Sequence, residues 1–527
     1  MILSQFFVGR PARRQAFGWG CLVSALALMT AGCGDNTAAA YQEAQTAEAL
    51  MNQGDIAGAR LAMAKALALR DDQVDILLLD ARIKSRAGDV RGAYDAYRTV
   101  LAIDPRQPEA LLAVAQLGMA VGDTRQSREA VETILTMIPG QPDALLIKGI
   151  NALDRKDYAE ATKVADQLLA NDAGDRGGIV LKARVLALTG HRPEALAMLR
   201  KAAETIGNDE MIATALLENA RDAGDVPIML EQFSLLRQAR PQSIDLAIDE
   251  ANVRYKSGDM AGARTMGEDI LGRFGESDTA MQRLGALWRE YDPDPLRPEA
   301  RAQLAQGGAL NARIRAAQHY LEQGKPDVAQ ALLGDARDAL AMGLRARIAV
   351  VTDQPGSITA AAGIIGQDQT NCDALIAAAE WNLRNGKPVA AVEPAQRAAS
   401  ECRDSSDGYL LLARAYGEQD RAAGAVRVYR EGLAAHPDDY ALSAAYTRWL
   451  LNAGRKDAAE VIADRLTNRA PHRPSSWRLL AQTCEAAKDN GCLATAREGL
   501  EKAKKDFSID LPPGQRYTNP LFGQQWR

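Results

Sequence analysis

A glycine-marked turn returns every 34 residues along this chain, at Gly54, Gly88, Gly122, Lys156, Gly190, Gly224 and Gly258. Seven units in one register leave few folds open. A strict period of roughly 20–50 residues is the mark of a stacked-repeat array, in which each unit packs on its neighbours instead of on one common core. Residues 74–107 show the unit, VDILLLDARIKSRAGDVRGAYDAYRTVLAIDPRQ. Ile76, Leu77, Ala81 and Ile83 follow helical spacing up to the turn Gly88-Asp89. Ala93, Tyr97, Val100 and Leu101 follow it again until Asp104-Pro105 ends the run. That pattern predicts two helices joined by a tight turn.

The recurring residue types have physical reasons. The turn reverses the chain within a few residues, and glycine takes positive φ without a Cβ clash. Five residues later comes a small residue (Ala59, Ala93, Ala161, Ala195, Ala263), which lets the second helix lie close to the first. Seven residues before the turn stands another: Ala47, Ala81, Ala115, Gly149, Ala183 or Ala251. Pro105, Pro139 and Pro241 close units, since proline ends one helix and sets the angle to the next. This pattern resembles the tetratricopeptide repeat. The resemblance implies an all-α solenoid, a right-handed superhelix of roughly fourteen helix pairs, whose first helices line a concave face where partners bind. It implies no one task, because the scaffold serves many unrelated binding functions.

A chain of 527 residues would by default hold two to four globular domains, but an array removes that constraint. The amino terminus stands apart from the repeats. Arg10, Arg13 and Arg14 precede an apolar run over 21–29, followed by Thr30-Ala31-Gly32-Cys33. The run is too short to span a bilayer, and small residues before a cysteine mark an export signal over 1–32. The segment resembles a bacterial lipobox, which implies that Cys33 carries lipid and becomes the first mature residue. Thr30 departs from the leucine usual at that place, and the Arg13-Arg14 pair fits a twin-arginine signal poorly. Gly34 stands where an aspartate would mark inner-membrane retention, so the resemblance implies the outer membrane, periplasmic face. An inner-membrane lipoprotein, or a soluble periplasmic protein with Cys33 a free thiol, are the alternatives. Losing the three arginines of the signal takes the formal charge from −5 to −8. An acidic chain without a basic tract argues against nucleic acid and against a polybasic membrane contact.

Residues 33–39 read as a tether of small residues, and 40–277 as the regular array. Three prolines within 292–298 interrupt a helical pattern, as a bent connection in a degenerate repeat or as a hinge or partner loop. Gly324 restores the signature, with Ala317 before it and Ala329 after it. Residues 343–371 read as a shortened unit broken by Gly356, Gly363 and Gly366, so that 278–371 forms an irregular middle. The register returns at Gly386, Asp420 and Gly454 in a second array over 372–505, closed by Pro437 and Pro471. The tail 506–527, with Pro-Pro, Asn-Pro, Phe522 and Trp526, reads as a cap, a free tail or a docking peptide.

Six cysteines divide cleanly: Cys21 leaves with the signal and Cys33 is the lipid site. Antiparallel helices bring Cys372 and Cys402 to the same end of one pair, and Cys484 and Cys492 flank the turn of the last. In an oxidising compartment these form two disulfides, each contributing about 2–4 kcal/mol, the alternative being four buried thiols. No spacing suits zinc. His191, His319, His436 and His472 lie apart without a ligand pattern, and no phosphate loop or nucleophile elbow is present. The acidic residues read as solvated helix faces. No enzyme activity, cofactor or metal is expected.

The groove remains. One place beyond the small residue of the first helix stand Arg82, Arg184, Arg414 and Arg448, and elsewhere Glu48, Gln116, Ile150, Glu218, Asn252, Gln318 or Glu380. Arginines there would pair with acidic peptide or polysaccharide, or else with carboxylates of their own array. The lysine–asparagine clamp of some relatives is absent, since Ile248 stands where the lysine would be. The expected function is a non-catalytic scaffold holding envelope proteins in its groove. Exopolysaccharide export ranks first among the machines it would serve, before outer-membrane protein or pilus assembly and support of peptidoglycan enzymes. Direct binding of an acidic glycan is the alternative.

Overall fold

The computed structural model describes residues 36–207 and 209–508, so the export signal, Cys33 and the tail from 509 onward lie outside the described residues. Among the described residues there are 28 α-helices and no strand, the number that fourteen pairs require. They divide into two compact units, one ending at Asp123 and one starting at Thr124.

The first unit holds α1 (Thr37–Asn52), α2 (Ile56–Leu69), α3 (Val74–Arg86), α4 (Val90–Ile103) and α5 (Pro108–Val121). Ala40, Ala44 and Ala47 of α1 pack with Ala59, Met63 and Ala66 of α2 and Ile76 and Ile83 of α3. Helix therefore begins at Thr37, inside the expected tether, because Ala40 already contributes to this core.

The second unit starts with α6 (Thr124–Met137), α7 (Pro142–Asp154), α8 (Tyr158–Asn171), α9 (Arg176–Leu188) and α10 (Arg192–Ile206). It continues through α11 (Glu210–Ala223), α12 (Val226–Ala239), α13 (Ile244–Ser257), α14 (Met260–Phe274), α15 (Asp278–Tyr291) and α16 (Pro298–Gly307). Next come α17 (Leu310–Glu322), α18 (Pro326–Leu333), α19 (Ala339–Val351), α20 (Ser357–Gln367), α21 (Cys372–Arg384) and α22 (Pro388–Glu401). The last are α23 (Asp407–Gly417), α24 (Ala422–Ala435), α25 (Tyr440–Asn452), α26 (Lys456–Arg469), α27 (Pro474–Ala487) and α28 (Asn490–Lys505). Odd-numbered helices are the first of each pair.

The turn position is left-handed throughout the two regular arrays, with φ of 86° at Gly54 and 84° at Gly258. Lys156 (60°) and Asp420 (58°) adopt it despite their side chains, and so does Lys488 (65°), 34 residues past Gly454. The next residue is often aspartate. Asp55, Asp89, Asp157, Asp225 and Asp259 each accept the backbone N–H three residues on, capping the second helix. Such a cap contributes about 1 kcal/mol. The small residues on either side of the turn are fully buried, and at Gly149 a Cβ would overlap the Leu181 side chain.

The proline segment after α15 is a bent, well-held connection. It carries α16 onto α17 and α18 instead of back along α15. Arg264 donates two hydrogen bonds to the buried Asp292 (2.8 and 3.0 Å), whose carboxylate also accepts the Asp294 N–H (3.0 Å). The Tyr320 hydroxyl donates to Asp294 (2.9 Å), and the Leu296 side chain enters the core. In the shortened unit the turn lies at Asp353 (φ 53°) and not at the glycines: Gly356 precedes α20, and Gly363 and Gly366 lie within it.

One expectation fails clearly. Asp80, Asp249, Glu250, Asp292 and Asp373 are buried, not solvated. Each stands within ion-pairing distance of a basic side chain: Lys84 for Asp80, Arg221 and Arg283 for Asp249, Arg237 and Arg254 for Glu250, Arg264 for Asp292, Arg347 for Asp373. A buried carboxylate needs such a partner to offset its lost hydration.

Candidate interaction face of the first helices

Six residues before each turn stands the first-helix position singled out in the sequence; its side chain is exposed at Arg448, half-buried at Glu218, Asn252 and Gln318, and buried at Ile150. Arg82 (α3) makes a two-pronged pair with Glu109 of α5, Nε to Oε1 at 2.6 Å and Nη2 to Oε2. Arg414 (α23) pairs with Glu418, the residue that follows its own helix, at 2.7 Å. Arg184 (α9) lies close enough to Glu218 (α11) to oppose the upward push that burial gives that carboxyl's pKa. Arg448 (α25) is exposed and enters no ion pair among the described residues. The four are not gathered into one site, and none lines the cavity described below.

Sequence reasoning missed the strongest member of this series. With the turn at Asp353, the small residue seven before it is Ala346 and the residue six before it is Arg347. Its guanidinium donates to Asp373 (3.2 Å, α21) and to Asp407 (2.8 Å, α23), while Gln318 of α17 donates to the other oxygen of Asp373 (3.1 Å). Four successive first helices are thus tied by one chain of side chains. The two carboxylates raise the Arg347 pKa above its ordinary value despite burial, which acts the other way. Asp373 follows Cys372, and Cys402 lies five residues before Asp407. The structure joins those cysteines in a disulfide, with Cα atoms 5.7 Å apart, which fixes the two acids against each other. Cys484 and Cys492 form a second disulfide across the α27–α28 turn, Cα atoms 5.6 Å apart.

A second network lies on α11, α13 and α15. Asp249 sits between Arg221 (3.7 Å) and Arg283 (3.8 Å). Burial outweighs both arginines and pushes its pKa up to about 6. Asp249, Asn252, Arg283 and Leu287 form one side of a cavity of about 480 Å³, and Tyr440 and Arg473 stand on the other. The walls come from pairs five to seven apart, because the segments that open α25 and α27 lie against α13 and α15. The carboxylate of Glu290 accepts the Ser475 N–H (2.9 Å), the Ser475 hydroxyl and Arg478 Nη2 (3.2 Å).

The histidines do not converge. His191 stands just before α10 and His436 just after α24, while His472 precedes α27. His319 is 1% exposed between Trp288 and Tyr320, with ring centroids at 5.5 and 5.7 Å, and burial lowers its pKa to about 4. Among the described residues, no group of three or more His, Cys, Asp or Glu is placed to hold a metal ion. No described helix is long and apolar enough to cross a membrane.

Residues 417–483 match the family model of the tetratricopeptide repeat. Among solved structures, a tetratricopeptide repeat protein from Parabacteroides merdae is 14% identical, with a TM-score of 0.39 over 47% of this chain and 99% of that one. PilW, a type IV pilus biogenesis factor, is 19% identical, with a TM-score of 0.33 over 39% of this chain and 95% of that one. MamA is 17% identical, with a TM-score of 0.29 over 31% and 90%. No curated protein matches the chain.

Proposed function

We propose that this chain, an array of tetratricopeptide repeats, is a non-catalytic scaffold that binds other proteins along its first helices. The observation that carries this is a first-helix position that recurs in register through the second unit and carries a different accessible side chain at Glu218, Asn252, Gln318 and Arg448. Such a face reads a large or extended partner one unit at a time.

The place of action is the periplasmic side of a bacterial outer membrane, with Cys33 as the lipid anchor and exopolysaccharide export the first-ranked machine. The signal-like segment before Cys33 supports this, and so does a pair of disulfides, which persist in oxidising compartments. The test is crosslinking in intact cells followed by affinity purification, with Cys33→Ala as control. The expected result is a defined envelope complex that is lost in the control; recovery of the same complex from Cys33→Ala would overturn the tether.

Acidic glycan binding is a second reading, supported at Arg448, whose guanidinium is exposed. It predicts salt-sensitive retention on an acidic polysaccharide that Arg448→Ala abolishes. Retention unchanged in that variant would sink it.

A further inference from the structure

We infer that α27–α28 is a reversible gate over the faces of α13 and α15, with Glu290 as its socket. The contacts that close it join residues far apart in the chain. Besides the Glu290 bonds to Ser475 and Arg478, Lys256 of α13 donates to the backbone carbonyls of His472 (2.8 Å) and Asp506. Arg221 of α11 donates to the carbonyl of Phe507 (3.3 Å). Phe507 is 5% exposed, with the Lys256 ammonium 6.0 Å from its ring centre.

The seam differs in kind from the packing inside the array. Helices within a pair hold one another through alanine and leucine cores, whereas this contact is made of ion pairs and backbone hydrogen bonds around a cavity, with one buried ring. Arg478 is 51% exposed in its pair with Glu290. Exposed pairs are weak and screened by salt, and polar intramolecular interfaces of this kind open and close without unfolding. The Cys484–Cys492 bridge ties α27 to α28, and Leu479 and Leu480 share a core with Ala463 and Leu466 of α26, the pivot about which the pair opens.

The socket also defines its competitor. Ser475 lies at the start of α27, where the helix dipole is positive, and Arg478 follows one turn later. A partner that opens the gate presents the same chemistry to Glu290, a helix N-terminus with a cationic side chain one turn in. It thereby gains Asp249, Asn252 and Arg283. The partner rests on the scaffold reading; the gate itself does not and is measured without any partner.

The experiment is amide hydrogen exchange on the full chain with disulfides intact. The Ser475 amide is a direct reporter, since its acceptor is Glu290. Glu290→Lys is expected to speed exchange at 475–478 and 506–508 at least tenfold, while α19–α24 keep their protection. Adding Arg478→Glu to that variant restores part of the protection, and 0.5 M salt opens the wild-type chain in the same segments. Unchanged exchange at Ser475 in both Glu290→Lys and high salt overturns the gate. An increase spread equally over α19–α24 also overturns it, as that would be general unfolding.

Discussion

Arg347 holds two carboxylates on two other helices from within the array, and among the described residues neither carboxylate has another cation within 4 Å. Replacing it by alanine strands buried acid, so Arg347→Ala is expected to cost about 3–5 kcal/mol in urea unfolding. Lysine should recover little, because a single ammonium does not reproduce the two-way fork. Two other residues make opposite demands over one pH range. The Asp249 pKa rises from 3.8 to about 6 on folding, so its contribution to stability falls as pH climbs between those values. The His319 pKa drops from 6.5 to about 4, so its contribution is lost as pH falls between those values. Each amounts to roughly 3 kcal/mol at most, and together they largely cancel. Asp249→Asn should therefore show stability rising from pH 4 to 6.5, and His319→Phe stability falling from pH 4 to 6; equal slopes in the two variants would contradict the assignment. None of these residues was legible as special. Asp249 has the spacing of a surface acid, and Arg347 was hidden because glycines nearby drew the turn away from Asp353.

At the scale of the helix pair, sequence and structure agree closely, since turn, small residues and caps are local requirements of a hairpin. The period even places Lys488, which lacks any glycine to mark it. Lysine and aspartate in the left-handed region carry strain of roughly 1–2 kcal/mol. Lys156→Gly and Asp420→Gly are each expected to raise stability by about 1 kcal/mol, less than the full strain because glycine also gains freedom in the unfolded chain. Gly408 presents the opposite case: a Cβ there would run into the backbone of Ala398 and Ala399. Gly408→Ala should cost about 1–3 kcal/mol by overpacking, read as a lower urea midpoint. What the period does not contain is the displacement of α16. Three prolines announce a break, but its direction is set by Arg264 on Asp292 and Tyr320 on Asp294, pairs that no spacing rule links.

Across the second unit, the return of α27 to α13 and α15 was invisible in the sequence, because each repeat pattern describes contacts with the next unit and none with the seventh. Ser475, Arg478 and Glu290 are unremarkable helix residues until they meet. Their meeting also sets an order of events. Neighbouring pairs can form as soon as their own 34 residues are available, whereas the Glu290 contact waits for a segment 185 residues downstream. While the chain is being synthesised, that carboxylate and the face around it therefore stay uncovered for an interval. A partner present at that moment meets an open face, and one that arrives later meets a closed one. Timing of encounter, as much as affinity, then decides what this array holds.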